Sequence, residues 1–324
     1  MAAVLATLVA ALTGQAADAE RWADAADRCQ YRGLDGAADP AAEAWASLVR
    51  AMLCRGGPEQ MRADADDARS RFAKRGIVAQ KPALYQGIAR VLCGDLDGGD
   101  AFFDDATGVA EEVGAPETLA IALSERALVA IARNRWDRAE ALAGQAGAVL
   151  RRAGIEMPLA CAVQARVALH RGDVPAARHE LVRAQRLRAL LTYALPHLAV
   201  QARIELIRVH RALGDLAGAR TLMRETDELL RRRPALGTLA GEAESLRAQL
   251  ANERGPSPAE ASALTAAELR LLPLLATHLT FRAIGREVFL SRNTIKTQAS
   301  SIYRKLGAST RSQAVAQART LGLL

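Results

Sequence analysis

The chain has 324 residues, half of them apolar but few aromatic, and a net charge of +7. Alanine, leucine and arginine dominate and β-branched residues are sparse, which favours helices and argues against a sheet-based fold. No apolar run reaches the roughly 18 residues a membrane span needs, so no membrane association is expected.

The charge is unevenly placed. From Leu264 onward, nine Lys and Arg face only Glu268 and Glu287, which accounts for the whole excess. The first 263 residues hold 34 basic and 34 acidic side chains. A basic segment joined to a neutral body is the electrostatic footprint of phosphate binding.

Met1–Leu12 are apolar but lack the basic residues that precede a signal-peptide core. They fit the register of a repeat that follows. Each copy starts with Gly-Asp or a close variant at a helix-to-helix turn, with an apolar residue two positions on and a small one at five. The copies begin at Gly94 (Leu96, Gly99), Asn134 (Trp136, Ala139), Gly172 (Val174, Ala177) and Gly214 (Leu216, Ala219), with weaker ones at Gly14 (Ala16, Ala19) and Gly56. Successive starts lie 42, 38, 40, 38 and 42 residues apart.

A period near 40 with helical patterning marks an α-solenoid. Glycine at the turn takes positive φ and ends one helix. Asp95, Asp173 and Asp215 then cap the next. The small residue lets antiparallel helices approach, and pairs too small to bury their own apolar faces must stack. Leu123, Ala127, Leu128 and Ile131 share one helical face, and Ile204 and Ile207 do likewise. Cys29, Cys54, Cys93 and Cys161 lack CxxC spacing and read as small buried hydrophobes in a reducing cytosol. This region, 1–251, resembles the tetratricopeptide-type superhelix of the large LuxR-type regulators, which implies a sensor or interaction domain.

Residues 252–262, with two prolines and a glycine among polar neighbours, read as a linker. Residues 263–324 then divide into four short helices. Thr265 with Glu268 forms a capping box, and Leu264 with Leu269 a hydrophobic staple. Pro273 sits inside this first helix and should kink it at a cost of roughly 3 kcal/mol. Thr280 caps a second helix to Phe289, and Ser291 a third over Arg292–Leu306, closed by Gly307. Thr310 and Gln313 form a capping box for a fourth over Arg311–Leu321. On the third helix, Ile295, Ala299, Ile302 and Leu306 form a packing face. Arg292, Lys296, Thr297, Ser300 and Arg304 lie opposite, the arrangement a major-groove reader requires.

The segment Leu264-Thr265-x-x-Glu268, Ile284, Ser291-x-x-Thr294-Ile295-Lys296, Ile302-Tyr303-x-Lys305-Leu306-Gly307, Arg311-x-x-Ala314-Val315 resembles the LuxR-type helix-turn-helix domain across its full length. The sequence departs from that family at His278, Ala283-Ile284-Gly285 and Gln298. The resemblance implies that the third helix enters the major groove and the fourth forms a dimer contact. Lys296, Thr297 and Ser300 would then face base edges. Thr280, Arg292, Asn293, Thr294, Arg304, Lys305 and Arg311 would lie near phosphates. It also implies contact with RNA polymerase.

No GxxxxGK[ST] loop occurs, although the large ATP-dependent LuxR-type regulators carry an ATPase domain before their repeats. The chain therefore looks like the C-terminal part of such an architecture. His170, His179, His197, His210 and His278 show no metal-ligand spacing, and no nucleophile motif is present, so neither catalysis, metal nor cofactor is expected. The expected fold is all-α, a tetratricopeptide-like superhelix followed by a four-helix DNA-binding domain. The expected protein is a cytoplasmic transcriptional regulator that binds double-stranded promoter DNA as a homodimer and responds to a small-molecule or protein effector. The alternative is a helical-repeat interaction scaffold with a vestigial DNA-binding module.

Overall fold

The computed structural model describes residues 1–29, 40–75, 77, 80–253, 264–288, 290–321 and 323–324. Among them every regular element is a helix. The expected linker lies almost wholly outside the described residues. Two compact units are present, Met1–Val209 with Leu222–Ser245, and His210–Thr221 with Leu246–Leu324. None of the described helices is long and apolar enough to cross a membrane.

The helices before residue 254 come in pairs. These are α1 (Ala2–Leu12) and α2 (Ala16–Arg28), α3 (Pro40–Leu53) and α4 (Pro58–Ala73), and α5 (Gln80–Leu92) and α6 (Leu96–Glu112). Next come α7 (Pro116–Ala132) and α8 (Trp136–Ala153), α9 (Pro158–His170) and α10 (Val174–Leu187), and α11 (Pro196–Ala212) and α12 (Leu216–Arg232). The helix α13 (Thr238–Asn252) follows. From α1 to α10 the two helices of each pair pack on each other, and α2 on α3, α4 on α5, α6 on α7 and α8 on α9 join neighbouring pairs.

The turn chemistry matches the expectation. Gly14, Gly94, Asn134, Gly172 and Gly214 all have positive φ, between 56° and 90°. The amide that follows each reaches back to the preceding helix, as in Asp95 N to Arg90 O at 2.9 Å and Asp173 N to Ala168 O at 2.9 Å. This backward bond satisfies a carbonyl that the helix end leaves open. Asp95, Asp173 and Asp215 accept from Gly98, Ala176 and Gly218 amides at 2.8, 3.0 and 2.9 Å, as expected of caps. The weak copy at Gly56 differs, because there Cys54 and Gly57 take positive φ instead. Gly114 and Gly154 repeat the same device between pairs, which the 40-residue pattern did not mark.

The small residues at the fifth position, Ala19, Gly99, Ala139, Ala177 and Ala219, are all buried. The approach is close between α5 and α6. A Cβ on Gly87 would stand 2.5 Å from the Phe103 ring, and one on Gly99 would stand 2.4 Å from Val91 Cγ2. Of the cysteines, Cys54 and Cys161 are buried as expected. Cys29 and Cys93 are exposed, so the expectation of four buried thiols is corrected.

The first unit also curls back on itself. Arg233 pairs with Glu20, and Thr238 Oγ1 donates to Val91 O at 3.3 Å. Gly237, at φ 54°, lies so close to α5 that an added Cβ would stand 2.0 Å from Leu92 O. Only glycine tolerates both the conformation and the contact. This closure lines one side of a partly open cavity of about 400 Å³ inside the unit. Elsewhere in its core, His197 is fully buried, edge-on to Tyr85, and neither ring nitrogen has a partner among the described residues. Burial holds it down to about pKa 3, hence neutral.

Candidate nucleic-acid interface

After residue 263 come α14 (Ala266–Leu275), α15 (Phe281–Glu287), α16 (Arg292–Lys305) and α17 (Arg311–Thr320). Each begins at a hydroxyl cap. Thr265 accepts from Glu268 N at 3.3 Å, Thr280 from Ala283 N at 3.3 Å, Ser291 from Thr294 N at 3.1 Å and Thr310 from Gln313 N at 3.2 Å. The Glu268 carboxylate accepts from Thr265 N at 2.7 Å, which completes the first capping box. The second expected box is modified. The Gln313 side chain reaches one residue further, to Ser309 N at 3.0 Å and Ser309 Oγ at 2.8 Å.

Leu264, Leu271, Leu272, Leu275, Ile284, Ile295, Ala299, Ile302, Leu306, Ala314 and Ala318 form one core. Leu264 joins this core while Leu269 stays exposed. The turn before α16 is drawn tightly onto α15, with Leu290 N donating to Gly285 O at 2.8 Å. A Cβ on Gly285 would stand 2.6 Å from Leu290 O, so the glycine at this departure from the family pattern suits the close turn.

The core contacts orient α16. Ile295, Ala299 and Ile302 point inward, while Arg292, Asn293, Lys296, Thr297, Ser300 and Arg304 are exposed. Thr297 Oγ1 donates to Asn293 O at 3.0 Å, and the half-buried Thr294 hydroxyl lies 2.8 Å from Ser291 Oγ. Gly307 (φ 63°) closes the helix, with Ala308 N donating to Tyr303 O at 2.7 Å. The polar face is thus a row of cations and hydroxyls carried on a rigid apolar base.

Two basic residues assigned to phosphates have partners inside the module. Lys305 Nζ donates to Glu268 Oε2 at 2.7 Å, tying the end of α16 to the start of α14. Burial works against the Glu268 charge. Hydrogen bonds from Lys305, the Thr265 amide and Ser301 outweigh it and hold this carboxyl down to about pKa 2. Arg311 uses its whole fork. Nε donates to Leu275 O at 2.7 Å, Nη1 to Leu279 O at 2.6 Å, and Nη2 to Leu274 O at 3.1 Å and Thr277 O at 2.8 Å. These carbonyls belong to the end of α14 and the loop after it, where a helix runs out of its own donors. The guanidinium also lies 6.0 Å from the Phe281 ring centroid. α14 itself runs on past Pro273 to Leu275. The partners of Lys305 and Arg311 lie 32 to 37 residues away, and no local spacing marks them.

Residues 262–318 match the family described as bacterial regulatory proteins, luxR family (GerE), so this segment is a helix-turn-helix domain of that family. Among curated proteins, no sequence matches the chain.

Proposed function

We propose that the protein is a cytoplasmic, sequence-specific transcriptional regulator. The observation that carries this reading is the exposed row Arg292, Lys296, Thr297, Ser300 and Arg304 on the second helix of a tight helix-turn-helix within a luxR-family domain. Lys296, Thr297 and Ser300 read base edges in the major groove, with Lys296 donating to guanine O6 or N7. Thr280, Arg292, Asn293, Thr294 and Arg304 hold the backbone, which sets affinity and register. Lys305 and Arg311 act chiefly by fixing α16 and the α14–α15 loop, since their donors are engaged within the module.

The protein binds double-stranded promoter DNA as a homodimer, with half-sites spaced by about one helical turn. α17 supplies the dimer contact, and RNA polymerase is a further partner. The helices before the linker form a tetratricopeptide-like sensor whose effector changes dimerisation or DNA affinity.

The test is a genome-fragment pull-down near physiological salt, comparing wild type with Lys296→Ala. Wild type should enrich a few promoter fragments, and the variant should lose roughly 1–3 kcal/mol of discrimination at one base position. Affinity should fall steeply with salt, at about 0.9 log units per log unit for each phosphate neutralised. Equal enrichment by both proteins would remove Lys296 from the reading face, and no enrichment would remove the DNA-binding reading itself.

A further inference from the structure

The cavity in the first unit is of ligand size, at about 400 Å³. Its lining is partly apolar, with Leu92, Leu96, Leu128, Val129 and Leu239, and partly ionic. There Arg166 donates to Glu205 at 2.6 Å, while Arg208 pairs with Glu205 and, at 2.6 Å, with Glu242. Each guanidinium lining the cavity therefore already has a carboxylate partner.

Glu125 differs. It is 1% exposed, and its Oε2 accepts from Gln201 Nε2 at 2.8 Å. Its Oε1 has no partner among the described residues. An unpartnered buried carboxyl oxygen is costly unless something donates to it. Burial, with a smaller push from the charge of Glu205, outweighs the Gln201 hydrogen bond and holds this carboxyl up at about pKa 7. A ligand carrying positive charge relieves both effects, whereas a neutral hydroxyl relieves only the missing hydrogen bond.

We propose that this cavity binds a small organic ammonium compound, its cationic head on Glu125 and its apolar body against Leu128 and Leu239. The proposal rests on the reading that this part of the chain senses a small molecule, and it names the chemical class.

The experiment is calorimetric titration of the full chain with phenethylamine, isoamylamine and cyclohexylmethylamine, beside the matching carboxylates and alcohols. At least one amine should bind one-to-one, about tenfold or more tighter than its carboxylate and alcohol. Glu125→Gln should weaken that binding about tenfold or more with unchanged helicity. Leu128→Phe, which narrows the cavity and leaves the carboxyl in the chain, should abolish it. Absence of binding by every amine at millimolar concentration, equal binding of carboxylate or alcohol, or an unaltered Glu125→Gln affinity overturns the proposal. DNA affinity measured with and without the bound amine separates the two readings. Binding that leaves DNA affinity unchanged keeps the site and removes its sensory role, whereas loss of DNA binding alone leaves the calorimetry untouched.

Discussion

The helices after residue 263 all start at a side-chain cap, whereas those before residue 254 mix capped starts, as at α6, α10 and α12, with uncapped ones. Among those before residue 254, α1, α2, α4, α7, α8 and α9 begin without any side-chain cap. They run for 11 to 18 residues. The four in the DNA-binding module run for only 7 to 14 residues, and all four are capped by a hydroxyl. Short helices are marginal on their own, and each cap contributes about 1 kcal/mol. The longer helices rest on stacked neighbours instead. Charge follows the same division. In the first unit, pairs such as Arg126–Asp100 and Arg166–Glu205 bridge neighbouring helices. The module has two acids for nine cations and leaves a basic face exposed.

The sharpest way to break the stacked region is Gly237→Ala. The new methyl meets the Leu92 carbonyl and the residue keeps a left-handed backbone, so the expected loss is roughly 2–4 kcal/mol. Hydrogen exchange should show it in α5 and the start of α13, with the amides of α14 to α17 unchanged. The converse experiment is Arg311→Lys. Lysine keeps the charge but not the fork that serves four carbonyls, so the module should lose about 2–3 kcal/mol while α1 to α10 keep their protection.

Two titrations sharpen the comparison. Glu125 has its folded pKa raised from 4.5 to about 7, so its contribution to the first unit's stability is complete below pH 4.5 and is lost as pH rises through 7. Glu125→Gln should remove that slope, gaining on the order of 2 kcal/mol at pH 8 in denaturant titrations. Glu268 shifts the opposite way, from 4.5 to about 2. Its contribution is complete above pH 4.5 and is lost as pH falls toward 2. Lys305→Met should flatten that acid limb in the module's melting and cost about 1–2 kcal/mol at neutral pH.

Much of this architecture is legible in the sequence because it is local. A glycine or asparagine at positive φ, an aspartate cap and a hydroxyl cap each close hydrogen bonds within five residues, so Gly94, Asp95, Thr280 and Ser291 announce their own roles. The two faces of α16 are equally readable, since helical spacing alone puts Ile295, Ala299 and Ile302 together. Tertiary structure decided the rest. It set Gly237 against Leu92, left Leu269, Cys29 and Cys93 exposed, and engaged Lys305 and Arg311 inside the module. It also joined Glu125 to Gln201 across 76 residues at the wall of a cavity. Such contacts depend on how distant helices pack, and no spacing along the chain encodes a meeting between segments that only the closed fold brings together.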